Sequence, residues 1–171
     1  MSTHLVDAGL VRTSEGTLAM AGVPSPLIAE QYGTPTYCYD AATIRSQYRR
    51  LDAAFGALPH RICYAVKANS NLAILTLLAR LGAGADIVSG GEMLRALAAG
   101  FAPEDIVFSG VGKTDDELLA AIAAGIGHVN VESLAELRRL AMFADLRGAT
   151  VTVGIRVNPD VTVDTHPYIS T

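Results

Sequence analysis

From Arg61 onward the chain alternates short β-branched runs with alanine- and leucine-rich stretches of helical period. This beat constrains the fold more than any single residue does, because repeated βα units around a parallel sheet produce it. Strands are expected over Arg61–Lys67, Ala85–Ser89, Asp105–Ser109, His128–Val131 and Thr150–Val157. Helices are expected over Asn71–Leu81, Gly91–Ala99, Thr114–Ala124 and Ser133–Ala144, where Thr114 with Glu117 and Ser133 with Glu136 have the spacing of a capping box. The class is therefore α/β, with about five βα units. A closed (β/α)₈ barrel takes about 250 residues, so the expectation is a partial TIM-type barrel in a chain cut short of ring closure. An open doubly wound sheet would be complete at this length, but its G-x-G-x-x-G turn is missing after Lys67, where Asn69-Ser70-Asn71 stands.

The first third of the chain reads differently. Leu5 to Met20 is glycine-punctuated and weakly alternating, and Thr34 to Tyr39 reads as a strand entered through a proline turn. A helix is expected over Ala41–Phe55 behind Asp40 as N-cap, with Ile44, Tyr48, Leu51 and Phe55 as its apolar stripe, in which Tyr48 and Leu51 are read as core and not as ligand contacts. Residues 1–40 are expected to be a short segment of a β-domain and residues 41–171 an incomplete barrel.

Half of the 171 residues are apolar, enough for a buried core, and the net charge of −4 gives no basic stripe for a nucleic-acid backbone. Small-molecule chemistry is favoured. Cys38 and Cys63 are the only cysteines and lack metal-ligand spacing, so neither a metal site nor a disulfide framework is expected. The N-terminus has neither a signal-peptide core nor a membrane span, so the expected setting is the cytoplasm.

The chemistry is expected at Lys67, the alternative being a solvated lysine that closes a strand. In Arg61 to Asn69, Ile62, Tyr64 and Val66 fall on one strand face, while Cys63, Ala65 and Lys67 fall on the other. Small neighbours leave room before the amine for a flat cofactor, and partial desolvation would favour its nucleophilic form, able to make a Schiff base. The same face continues through Asp86, Ser109, Asn130 and Arg156, all near the carboxyl ends of successive strands, the rim where barrels build active sites. Asp86 can orient an amine or a ring substituent, or bond the Ser89-Gly90-Gly91 turn. Arg156 is expected to meet an anion: a cofactor oxygen, a substrate carboxylate, or Asp86. Glu92 opens a helix, where dipole stabilisation explains it and a supporting role is the alternative.

Ser109 to Thr114 ends in the Gly-Lys-Thr of a phosphate-binding loop, but Val107 stands where the G-x-x-x-x-G-K-[ST] pattern requires glycine, which argues against nucleotide binding. His128 begins a strand at the rim opposite Lys67, and His4 and His60 lie in turn-like contexts, so all three are expected to be structural. His166 follows the last strand, in a loop long enough to cover a site.

These motifs together carry a resemblance. Gly33 to Tyr37, Tyr64 to Asn69, Asp86 to Glu92, Arg156 to Pro159 and His166 to Thr171 resemble the amino-terminal part of the diaminopimelate decarboxylases. That group lies within the ornithine/diaminopimelate/arginine decarboxylase family of alanine-racemase-like, fold-type III pyridoxal-phosphate enzymes. The resemblance implies a pyridoxal 5'-phosphate barrel followed by a β-domain, with Lys67 as the Schiff-base lysine and Asp86, Glu92 and Arg156 around it. It implies decarboxylation of meso-2,6-diaminopimelate to L-lysine by a homodimer. The family's ring-stacking histidine, phosphate site and later carboxylate- and cysteine-bearing segments are missing here, and His166 does not replace that histidine. The chain by itself is therefore expected to be inactive. Alternatives are another fold-type III enzyme, of the ornithine, arginine or alanine-racemase kind, or a non-catalytic barrel that carries the cofactor.

Overall fold

The computed structural model describes residues 9–157, so His166 and the Asn158–Thr171 motif lie outside the described residues. Contacts divide the chain into two compact units. One runs up to Ile62 and includes Arg80–Gly82; the other takes Cys63–Ala79 and the described residues from Ala83 on.

In the first unit β1 (Leu10–Arg12), β2 (Leu18–Met20) and β3 (Val23–Pro24) form an antiparallel sheet in which Val11 faces Ala19 and Met20 faces Val23. α1 (Ser25–Tyr32) follows at once, with proline in its first turn. The sequence reading had no helix there, although proline just inside a helix start is a recognised signal. Thr34 to Tyr39 was expected as a strand and forms none: Tyr37 is 90% exposed, and no described strand pairs with it to supply the ladder.

α2 spans Ala41–Phe55 as expected, with Asp40 Oδ1 accepting from Ala42 N at 2.9 Å and Oδ2 from Thr43 N at 3.1 Å. The Thr43 hydroxyl also donates to that carboxylate and, with the amides, holds it below the usual carboxylate range. The apolar stripe departs from expectation. Ile44 and Tyr48 are half-buried, and Leu51 and Phe55 are 50% and 41% exposed, so none is core. Periodicity reports that a stripe exists, whereas burial requires a surface facing it.

Just beyond α2, His60 stacks on Phe55 with ring centroids 4.4 Å apart. Its Nδ1 lies 2.8 Å from the Leu58 carbonyl and its Nε2 3.0 Å from Asp52 Oδ1. Both oxygens only accept, so both ring nitrogens are satisfied only in the protonated ring. The Leu58 carbonyl, followed by Asp52, raises the pKa above the ordinary 6.5. The stabilisation is thus fully present below that value and disappears as pH rises through the folded-state pKa. An NMR titration of His60 should have its midpoint above 6.5 and shift downward in Asp52→Asn; a midpoint at or below 6.5 would contradict the clasp.

The second unit is built on a parallel five-stranded sheet in the order β4 (Cys63–Ala65), β5 (Gly84–Ile87), β6 (Ile106–Phe108), β7 (His128–Val131) and β8 (Val153–Ile155). Between the strands run α3 (Leu72–Arg80), α4 (Gly90–Ala99), α5 (Asp115–Ala124) and α6 (Leu134–Arg147). Spatial order equals chain order, whereas a doubly wound sheet reverses at a switch point. Right-handed crossovers in one direction place every helix on the same face. This is the winding of a (β/α) barrel, present as an arc of five strands.

The helix-facing residues make the core: Ala85, Ile87, Ile106 and Phe108 are each fully buried, and Val129 and Val131 nearly so, against Leu75, Leu118 and Leu140. Each large side chain buried there contributes about 1.5–3 kcal/mol. On the other face the parallel register aligns Ala65 with Asp86, Asp86 with Val107, and Asn130 with Gly154. Gly154 is required by a close approach, since a Cβ there would overlap Asn130 Oδ1 and lie 2.6 Å from His128 Nε2.

The helix starts follow one device. Ser89, Thr114 and Ser133 each accept from the amide three residues on, at Glu92, Glu117 and Glu136. Thr114 and Glu117 complete the capping box. Ser133 and Glu136 make only half of it, because the Glu136 carboxylate is drawn to Lys113 and the Glu132 amide instead. Among the described residues no helix is long and apolar enough to cross a membrane.

Candidate active site

β4 ends at Ala65, earlier than the sequence suggests, and Val66–Ala68 form a 3-10 turn that carries Lys67. Val66 is fully buried and anchors the turn, and Lys67 next to it is exposed. The segment beyond is pinned by Tyr64 OH donating to Asn69 O at 3.3 Å, by Asn69 Oδ1 accepting from Asn71 N at 2.9 Å, and by Arg95 Nε donating to Ser70 O at 2.9 Å. The exposure of Lys67 corrects the expected partial desolvation: the turn lifts the side chain past the strand end, away from the core that would dehydrate it. Among the described residues the amine has no hydrogen-bond or ion-pair partner.

A cavity of about 410 Å³ opens beside it, lined by Lys67, Asp86, Val88, Ser109, Gly110, Asn130, Glu132 and Arg156. Lys67, Asp86, Ser109, Asn130 and Arg156, the residues expected along the rim, thus border one space of ligand size. Asp86, Ser109 and Asn130 form a chain in which the Ser109 hydroxyl donates to Asp86 Oδ1 at 2.6 Å and accepts from Asn130 Nδ2 at 3.0 Å. The alternative bond from Asp86 to the Ser89-Gly90-Gly91 turn is not made. That turn is held by Ser89 Oγ, by Glu92 and by Glu117 Oε1, which accepts from Gly90 N at 2.7 Å. Its bonds to the Thr114 and Gly90 amides keep the Glu117 carboxyl below its usual range.

Glu92 does not border the cavity. Its Oε2 accepts from Val88 N at 2.8 Å, so it holds the backbone of a lining residue. Arg156 meets an anion as expected, but not Asp86: its Nη1 lies 3.1 Å from Glu132 Oε1. β8 lies beside β7 and three strand spacings from β5, about 14 Å, beyond an arginine's reach across the rim. Glu132 was missed, although it stands two residues past Asn130 and so shares its face.

The residues suit a flat, anionic aldehyde cofactor: an exposed primary amine, a carboxylate fixed by hydrogen bonds and a guanidinium 54% exposed border one cavity. Residues 41–171 match the family model described as pyridoxal-dependent decarboxylase, pyridoxal binding domain. The chain belongs to the pyridoxal-dependent decarboxylases. Within that family it is 54% identical, over 92% of its length, to diaminopimelate decarboxylase of Pseudomonas aeruginosa. The diaminopimelate decarboxylase structure from M. jannaschii superimposes with a TM-score of 0.86 at 37% identity, over 95% of this chain and 39% of that one. The Helicobacter pylori enzyme complexed with L-lysine gives 0.81 at 46%, over 85% and 37%. This pyridoxal-dependent decarboxylase chain spans 38% of the length of the Pseudomonas relative.

Proposed function

We propose that the chain supplies the lysine-bearing part of a carboxy-lyase that converts meso-2,6-diaminopimelate to L-lysine with pyridoxal 5'-phosphate. The single observation behind this reading is the Lys67 amine, without a partner among the described residues, bordering the same cavity as Asp86 and Arg156. In this reading Lys67 attaches the cofactor, Asp86 is the acceptor that orients ring or amine, and Arg156 holds an anionic oxygen of cofactor or substrate. Ser109, itself held by Asn130, keeps Asp86 oriented, and Glu92 steadies Val88. Bound there, pyridoxal phosphate supplies the electron-accepting ring that takes up the pair left when carbon dioxide departs. Residues 1–40 would belong to a β-domain and residues 41–171 to the barrel, in a cytoplasmic homodimer whose partner is a small amino acid and not nucleic acid or membrane.

Identity to diaminopimelate decarboxylases across nearly the whole chain supports the substrate assignment. The natural gene product that carries this sequence, supplied with pyridoxal phosphate, should release carbon dioxide and L-lysine in equal amounts from meso-diaminopimelate, and neither putrescine from ornithine nor agmatine from arginine. Turnover of ornithine or arginine without lysine formation would overturn the assignment.

A further inference from the structure

Among the described residues, the most deeply buried charges of the second unit belong to neither the cavity nor any family motif named above. Lys113 and Glu136 are 3% and 4% exposed, and their Nζ and Oε1 are 2.8 Å apart. The remaining protons of the ammonium go to Gly110 O and Asn130 O, both at 2.7 Å, so every donor is used. The second carboxylate oxygen, Oε2, accepts from Glu132 N. Phe108 lies beneath the ammonium, with its ring centroid 5.5 Å from Nζ.

Each backbone group gripped by this pair belongs to a cavity-lining residue. Asn130 ends the chain to Ser109 and Asp86, Glu132 holds Arg156, and Gly110 follows Ser109. A buried ion pair is seldom needed for stability, since apolar residues of similar volume commonly fill such a place as well or better. The distribution of its bonds points instead to geometry: one pair, set between β6, β7 and α6, fixes the wall that faces Lys67.

We infer that Lys113 and Glu136 are positioning residues, which lock the Gly110 and Asn130 carbonyls and the Glu132 amide so that Asn130 and Glu132 present Asp86 and Arg156 to the cofactor. This inference rests on the cofactor reading for its consequence, but not for its geometry. The double variant Lys113→Met/Glu136→Leu in the natural gene product removes both charges and keeps the volume, so its Tm should stay close to the parent's. Amide hydrogen exchange at Glu132 and through residues 109–112 should accelerate about tenfold, and affinity for pyridoxal phosphate should fall about tenfold or more, because small misplacements of a positioned group carry such factors. Exchange and affinity both within twofold of the parent, at an unchanged Tm, would overturn the inference. Should the double variant fail to fold, Lys113→Arg decides: its planar fork keeps the charge but cannot serve both carbonyls and the carboxylate, so the same amides should still lose protection, and unchanged exchange would overturn the inference. A parent that takes up no pyridoxal phosphate defeats the cofactor reading alone, because the exchange measurement needs no cofactor.

Discussion

Lys67→Ala is expected to abolish covalent retention of pyridoxal phosphate. Borohydride reduction of the parent loaded with cofactor should leave the added mass on the peptide containing Lys67, and the variant should carry none. Lys67→Arg should fail equally, because a guanidinium stays protonated and cannot act as the attacking amine. Neither change should cost much stability. The side chain is exposed and makes no described contact, and such substitutions stay within about 0.5 kcal/mol. A loss of labelling would therefore report chemistry rather than unfolding. Lys113 is an internal control: it is a second lysine in the same unit, 3% exposed, with all its donors engaged, and it should remain unlabelled in both proteins. Label that persists in Lys67→Ala would refute the attachment site.

The second large effect is on stability. Lys113→Met alone keeps the side-chain volume but leaves the Glu136 carboxylate, 4% exposed, without its cation, and strands the Gly110 and Asn130 carbonyls. Removing one partner of a buried pair costs about 3–5 kcal/mol, which is a large part of a typical domain's total of roughly 5–15 kcal/mol. Urea unfolding should move to markedly lower denaturant, and in the double variant with Glu136→Leu most of that loss should be recovered. A single variant within 1 kcal/mol of the parent would mean that water or a rearranged carboxylate replaces the ammonium. The outcome also bears on the Gly-Lys-Thr reading of this segment. A phosphate-binding lysine must present its ammonium to a ligand, and this one has no proton to spare.

The glutamates at the helix starts illustrate how far local chemistry was legible. Asp40, Thr114 and Ser133 cap their helices through bonds spanning two or three residues, a range short enough to read from spacing, and Ser89 does the same although its sequence context was read only as part of a turn. Glu117 and Glu136 share that spacing and still differ. One closes its box and reaches Gly90 on the neighbouring helix, whereas the other turns to Lys113. Spacing offers a bond, and the neighbour decides whether it is made. The same holds for α2, whose extent and cap follow from sequence while its apolar stripe stays largely uncovered among the described residues.

What the sequence determined by itself was periodic and local: five strands with helices between them, the division of each strand into a helix-facing and an open face, and the gathering of Lys67, Asp86, Ser109, Asn130 and Arg156 on the open one. A period of two assigns a face without any knowledge of neighbours. Only the tertiary structure decided which charges meet. Glu132 and not Asp86 takes Arg156, Lys113 sinks beneath the cavity wall instead of facing a ligand, and the side chain of Lys67 is exposed on a turn. Those outcomes depend on strand adjacency and on what covers each side chain, and both are distances through space that spacing along a chain does not encode.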